Sequence, residues 1–215
     1  MTTKERFRRT IEYFLKNNPS AETELIYRDP FELIVAVILS AQCTDKRVNM
    51  ITPVLLKKYP NSKSMSKAEP EEIFELIRSC SYPNNKSKHL SGMSRMLEKE
   101  FGGKVPSDTD QLQKLPGVGR KTANVVASVI FNKPVMAVDT HVFRVSKRIG
   151  LVKNAKTPLI VELQLSENIP DDLMRIAHHW LILHGRYICK ARKPLCGSCG
   201  LSDFCKFNLS KKGKV

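Results

Sequence analysis

The sequence predicts an all-α protein. Capping and turn residues bracket apolar stretches with helical spacing along most of the 215 residues, and the period-2 alternation of a half-exposed strand is absent between them. A chain of this length buries a sizeable core, either as one domain or as two small ones. The longest fully apolar run, residues 33–39, is too short to cross a membrane.

The N-terminal segment is predicted to form an amphipathic helix. Its inward face carries Phe7, Ile11, Phe14 and Leu15. The segment lacks the apolar core of a signal peptide, so we expect a cytoplasmic protein. In that reducing compartment, cysteines serve as metal ligands or buried apolar groups rather than as disulfides.

The remaining elements are also predicted to be helices. Asp29-Pro30 provides a cap and a first-turn proline before the apolar residues 31–39. A buried strand is the alternative for this run, but its length, its cap and the polar exit at residues 40–42 favour a buried helix. Further helices are predicted over 45–58, 70–79, 84–101, 108–114, 119–131, 140–149, 157–167 and 171–185.

The charge balance indicates a polyanionic partner. The chain has 36 Lys and Arg against 21 Asp and Glu, a formal net charge of +15. Nucleic acid fits this excess because basic side chains release counterions when they neutralise phosphates. The alternative is a basic protein with a solvated surface and no such partner.

A glycine-containing turn at residues 115–119 joins two of the predicted helices. Pro116 breaks the first helix, and the glycines allow close backbone approach before the second begins. The amides of Gly117, Val118 and Gly119 are then expected to hold a phosphate oxygen. A nucleotide-binding P-loop would need a preceding strand and a glycine where Arg120 stands, which disfavours an ATPase.

Two residues near this turn are candidates for chemistry. Lys121 lies in the first turn of the second helix, where the helix dipole and Arg120 disfavour an ammonium ion and favour a nucleophilic amine. It is equally suited to binding a phosphate as a simple cation. Asp139 precedes an apolar-periodic segment, so it is expected to cap a helix, to act as a catalytic carboxylate, or both.

Four cysteines near the C-terminus, with the spacing C-x6-C-x2-C-x5-C, predict a metal site. They are Cys189, Cys196, Cys199 and Cys205. Their spacing does not choose between zinc and an iron–sulfur cluster. Lys190, Arg192 and Lys193 lie between the first two cysteines and are expected to form a second phosphate contact rather than a solvated loop. An electron carrier is a competing interpretation of the cluster.

Several segments together resemble the endonuclease III family of helix-hairpin-helix DNA glycosylases, and the resemblance covers nearly the whole chain. These segments are residues 39–42, 115–123, 138–144 and 178–186. The resemblance implies two helical domains with a DNA-binding cleft, a six-helix barrel over 24–132 and an iron–sulfur domain formed by 1–23 with 133–215. It also implies that the four cysteines hold a [4Fe-4S] cluster.

The activity implied by the resemblance is that of a bifunctional DNA glycosylase and AP lyase of base excision repair. The protein is expected to act as a nucleoid-associated monomer on double-stranded DNA that contains oxidised pyrimidines or abasic sites. Lys121 would attack the deoxyribose and form a Schiff base that leads to β-elimination, and Asp139 would assist. The implied alternatives are an adenine glycosylase and a non-catalytic damaged-DNA-binding protein.

The resemblance also implies roles in base extrusion. Gln42 is expected to fill the space that the base leaves, and Tyr82 occupies the position where the family usually has a leucine wedge. Tyrosine here is similar to the adenine glycosylase branch, but that branch has a glutamate near the first buried helix, where this chain has Asp45. His141 is expected either to contact the substrate or to have no role.

Overall fold

In the computed structural model, which describes residues 1–212, every regular element of those residues is helical, which confirms the predicted fold class. The α-helices are α1 Thr3–Asn17, α2 Pro30–Ser40, α3 Asp45–Lys58, α4 Ser62–Met65, α5 Pro70–Ile77, α6 Pro83–Phe101, α7 Thr109–Lys114, α8 Arg120–Phe131, α9 Thr140–Ile149, α10 Pro158–Ser166, α11 Met174–Tyr187 and α12 Lys206–Lys212. None of the helices in the described part of the chain is long and apolar enough to cross a membrane.

The chain divides into two compact units. One is continuous, Glu24–Phe131, and contains α2 to α8. The other combines Met1–Thr23 with the chain from Asn132 onward, so α1 belongs to the same unit as α9 to α12.

The centre of the continuous unit is α2. Every residue from Phe31 to Leu39 is buried, as a helix packed on all sides requires, and the helix contacts α3, α6 and α8. Asp29 caps it by accepting a hydrogen bond from the amide of Glu32 at 2.9 Å. The buried Glu32 carboxylate is paired with Arg28 at 2.5 Å, which meets the need of a buried charge for a partner.

The core of the discontinuous unit joins α1 to α11. The Phe14 ring stacks on Trp180 with centroids 5.5 Å apart, and the Trp180 indole donates to the carbonyl of Asn18 at 2.7 Å. Arg6 donates to the carbonyl of Phe204, near α12. These contacts tie the first helix to residues more than 160 positions later in the chain.

The structure differs from the sequence prediction in a few places. Leu15 was expected on the buried face of α1 but is 42% exposed, because it follows Phe14 by one residue, about 100° around the helix. The one-turn helix α4 was not predicted, and it depends on a capping box between Asn61 and Ser64. The helix predicted from 171 begins at Met174, after a 3₁₀ turn.

Candidate active site and metal centre

The glycine turn links α7 to α8 in the continuous unit. The amide of Val118 donates to the carbonyl of Leu115 at 3.0 Å, and the amide of Ala123 donates to the carbonyl of Gly119 at 2.9 Å. The side chains of Leu115 and Val118 are buried, so they anchor the turn to the core. Val118 therefore presents only its backbone to a ligand.

The two glycines of the turn serve different purposes. Gly117 has a φ of +80°, and a Cβ there would lie 2.7 Å from the Cβ of His89. A Cβ on Gly119 would meet nothing within 4 Å. Gly117 is therefore required by the fold, whereas the absent side chain at Gly119 leaves open surface for close approach of a ligand.

Lys121 lies in the first turn of α8, two residues after Gly119, and is half-buried. Arg120 beside it is exposed. The first amides of an α-helix have no partner within the helix, and the helix dipole places partial positive charge there. This end of α8 thus combines an amine with a surface suited to an anion.

Asp139 caps α9 in the discontinuous unit. Its Oδ1 accepts hydrogen bonds from the amides of His141 and Val142, both at 2.8 Å. Its Oδ2 lies 3.0 Å from Nδ1 of His141. The carboxylate is held by three contacts, and the two side chains remain 20% and 31% exposed, within reach of solvent. Lys121 and Asp139 thus come from different units.

Gly185 of α11 makes room for this arrangement. A Cβ at Gly185 would lie 2.8 Å from the Cβ of His141 and 3.1 Å from a methyl group of Val145. The first turn of α9 can therefore pack against α11 only because this position has no side chain.

Gln42 and Tyr82 lie on two loops of the continuous unit that the structure brings together. Ser81 Oγ donates to the carbonyl of Gln42 at 2.8 Å and lies 3.3 Å from the carbonyl of Ala41. Both Gln42 and Tyr82 are exposed, and both have left-handed backbone conformations, with φ of 53° and 54°.

The four predicted cysteine ligands line one small cavity of about 20 Å³, together with Leu201 and His184. Burial raises the pKa of the Cys199 thiol, and the nearby thiols of Cys205, Cys189 and Cys196 raise it further. In residues 1–212, no three His, Cys, Asp or Glu side chains are close enough to hold a single metal ion. Four thiols around one cavity, yet too far apart for one ion, fit a multi-iron cluster better than zinc.

The basic loop after Cys189 is held by α9. Arg148 donates to the carbonyls of Lys190 at 2.7 Å and Ala191 at 3.0 Å, and Arg144 donates to the carbonyl of Cys189 at 3.1 Å. The three predicted phosphate-binding residues, Lys190, Arg192 and Lys193, are exposed. The loop thus presents its cations outward while its backbone is fixed.

Sequence reasoning missed the residues that hold these segments, chiefly Lys86, Arg144 and Arg148. The last two have the i, i+4 spacing of neighbours on one helix face, and this spacing is the signal that could have found them. Lys86 gives no such signal, because its contacts lie 5 to 47 residues away. The adjacent His178 and His179 are buried, and His178 contacts the carbonyl of Ala137 at 2.9 Å.

Comparisons with known proteins agree with this geometry. Residues 35–171 match the model of the HhH-GPD superfamily of base excision DNA repair proteins, and residues 189–205 match the iron–sulfur binding domain of endonuclease III. The chain is 48% identical to endonuclease III of Rickettsia felis over 91% of its own length and 92% of that protein. It is 48% identical to the Bacillus subtilis protein of that name over 92% of this chain and 91% of the relative.

Solved structures give the same result. A trapped covalent intermediate of endonuclease III with DNA, an estranged-adenine complex, is 45% identical and has a TM-score of 0.93, covering 99% of this chain and 100% of that one. A non-covalent endonuclease III–DNA complex is 44% identical and has a TM-score of 0.94, with the same coverage.

Proposed function

Because this chain belongs to the HhH-GPD superfamily of base excision DNA repair proteins, and is a DNA glycosylase and AP lyase of the endonuclease III type with a [4Fe-4S] cluster, we propose that Lys121 and Asp139 carry out its chemistry. The observation that carries the proposal is the pairing of an amine at the start of α8 with a carboxylate fixed at the start of α9. A protein 45% identical to this one has been trapped in a covalent complex with DNA.

In the proposed reaction, Lys121 Nζ attacks C1′ of the damaged nucleotide. A C–N bond forms to the lysine, the bond from C1′ to the base breaks, and the base leaves with its electron pair and takes up a proton. The sugar ring opens to give a Schiff base on Nζ. Loss of a proton from C2′ then expels the 3′-phosphate by breaking the C3′–O bond.

We assign Asp139 to proton and charge management. Its carboxylate accepts a proton from the attacking amine or stabilises the positive charge that develops on the sugar. The cap contacts of Oδ1 fix the direction of the carboxylate, and the contact of Oδ2 with His141 orients its second oxygen. His141 is thus proposed as a positioning residue, acting through Asp139.

Two separate surfaces are proposed to bind the DNA backbone. The turn from Gly117 to Gly119 offers amides and open space, and Arg120 adds a cation. The loop with Lys190, Arg192 and Lys193 offers three exposed cations. The [4Fe-4S] cluster, bound by the four cysteines, supplies a rigid core around which that loop folds.

The proposed substrate is an oxidised pyrimidine or an abasic site in double-stranded DNA, with Gln42 and Tyr82 entering the stack as the nucleotide leaves it. We also propose a monomer associated with the nucleoid. All the assigned residues come from one chain, and the net charge of +15 favours a DNA-rich environment.

Borohydride trapping on a duplex with one abasic site tests the nucleophile. The wild type is expected to give a covalent complex, whereas Lys121→Gln loses the complex but still binds the duplex. Lys114→Gln is the control, because it removes an exposed lysine at the end of α7 in the same hairpin and should still be trapped. A trapped Lys121→Gln protein would show that another amine is the nucleophile.

A panel of duplexes tests the substrate. Thymine glycol, uracil, an abasic site and adenine opposite 8-oxoguanine are each incubated with the enzyme. We expect release of thymine glycol and cleavage at the abasic site. Efficient removal of adenine alone would instead place the activity with the adenine glycosylases.

A further inference from the structure

Lys86 is a buried cation at the junction of the Gln42 and Tyr82 loops. It lies in the first turn of α6 and is 5% exposed. Its Nζ donates to the carbonyls of Leu39 at 2.8 Å and Ala41 at 2.7 Å. It also lies 3.2 Å from both Ser81 Oγ and Cys80 Sγ.

These partners use the full hydrogen-bonding capacity of an ammonium group. A lysine ammonium has three protons to donate. The two short contacts to carbonyls take two of them, and the third is shared between Ser81 and the weaker acceptor Cys80. Every donor of the buried cation is thus directed at one of the two loops.

The position of Lys86 favours α2 rather than its own helix. The partial positive charge at the start of α6 disfavours a cation there. The last turn of α2 carries no basic residue of its own, yet the carbonyl ends of a helix are stabilised by a cation. Lys86 provides that cation from another helix.

The loops that Lys86 joins each hold a residue in a left-handed conformation. Such a conformation is unfavourable for non-glycine residues and persists only where the surroundings hold it. Here Lys86 holds the carbonyl before Gln42 and, through Ser81, the residue before Tyr82. Ser81 Oγ in turn holds the carbonyl of Gln42.

We propose that Lys86 is a positioning residue that couples the Gln42 and Tyr82 loops, so that both side chains are presented to the DNA stack as one rigid unit during base extrusion. This inference rests on the function proposed above. Without Lys86, each loop is free to relax separately, and the two side chains no longer enter the duplex together.

The test compares Lys86→Met with Lys88→Met. The first keeps an unbranched side chain of similar length but removes all three donors, and the second changes an exposed lysine two residues later on the same helix. Excision of thymine glycol, which needs extrusion of a base, is expected to fall about tenfold in Lys86→Met. Cleavage at a preformed abasic site, where no base is left to extrude, should fall much less.

Two further readouts separate coupling from general destabilisation. Fluorescence of 2-aminopurine placed beside the lesion should show slower extrusion in Lys86→Met. Hydrogen exchange without DNA should show faster exchange in residues 39–45 and 80–84 together. Leu97→Ala, a core change in the same unit away from these loops, serves as the destabilised control and should reduce the two activities in parallel.

Equal loss of both activities in Lys86→Met, unchanged extrusion, or faster exchange in only one loop would overturn the inference. If Lys86→Met fails to fold, Ser81→Ala replaces it, since this change removes the direct link to Gln42. A wild type that releases no base would instead contradict the proposed function, and the exchange experiment would still test the coupling.

Discussion

Asp139 and His141 form a closed local unit in which the aspartate binds both the backbone and the ring of the same histidine. Oδ1 accepts from the His141 amide at 2.8 Å, and Oδ2 lies 3.0 Å from Nδ1 of the ring. The helix cap and the orientation of the candidate catalytic carboxylate are therefore the same structural feature, with one oxygen assigned to each.

Asp139→Asn should separate these two roles. Asparagine caps helices about as well as aspartate, so the midpoint of thermal unfolding should stay close to that of the wild type. The rate of excision should fall about 100-fold or more, because proton transfer by a positioned carboxylate contributes that much. Single-turnover excision and thermal unfolding give the two measurements.

Asp139→Ala is the comparison variant, since it removes the cap as well and should cost about 1 kcal/mol of stability. Wild-type activity in Asp139→Asn would show that the residue acts only as a cap.

The glycine turn should show opposite behaviour at its two glycines. Gly117→Ala forces a side chain into a left-handed backbone and against His89, so it should lower the thermal unfolding midpoint. Gly119→Ala meets nothing in the protein, so it should fold normally but bind duplex DNA more weakly. Fluorescence anisotropy and thermal unfolding of both variants check this, and normal DNA affinity in Gly119→Ala would argue against close phosphate approach at this position.

The basic loop should contribute to the salt dependence of DNA binding. Changing Lys190, Arg192 and Lys193 to Gln should make the slope of log affinity against log salt shallower by about 0.9 for each phosphate that the loop no longer neutralises. Affinity measured at a series of salt concentrations gives the slope.

The control changes Lys63, Lys67 and Lys99 to Gln, which removes the same charge from exposed positions. Lys63 and Lys99 lie near the C-terminal end of α6, which is about 27 Å along the helix from Tyr82. Equal slopes for the two triple variants would mean that the loop contributes only net charge.

Stability should fall with acid because of His179. Burial, together with Arg175 and Arg186, lowers the pKa of His179 from 6.5 to about 4. Below about pH 6.5 the unfolded chain therefore binds a proton that the folded protein does not bind. This contribution to stability is complete above that pH and falls by about 2 kcal/mol between pH 7 and pH 5.

His179→Gln should remove that part of the pH dependence. The buried His184 also has a pKa lowered to about 4 by burial, but it is present in both proteins, so the difference between their urea unfolding curves isolates His179. An identical acid loss in both proteins would contradict the assignment.

The helices were predictable from the sequence because their signals are local. The aspartate caps at 29 and 139 and the first-turn prolines at 30, 70 and 158 each act on residues within one turn. The short α4 was missed because four residues are too few to show helical periodicity. The start of α11 was misplaced because Asp171 and Asp172 resemble a helical first turn, although they form a 3₁₀ turn.

The candidate site was predictable only where a motif carried it. The glycine turn, Lys121, Asp139 and the four cysteines have recognisable spacings along the chain. Lys86 and Arg148 bind segments about 40 residues away, and no local pattern specifies which carbonyls a cation will reach. The support of the site therefore became visible only in three dimensions.

The division of the chain also sets an order of events during synthesis. Residues 24–131 are made as one stretch and have all their partners once Phe131 has emerged, whereas α1 is made first and packs against Trp180 and Phe204, which are made much later. The apolar face of α1 therefore stays without its partners until the cysteine segment is also being made. Completion of the second unit and assembly of its metal centre consequently fall in the same short interval at the end of translation.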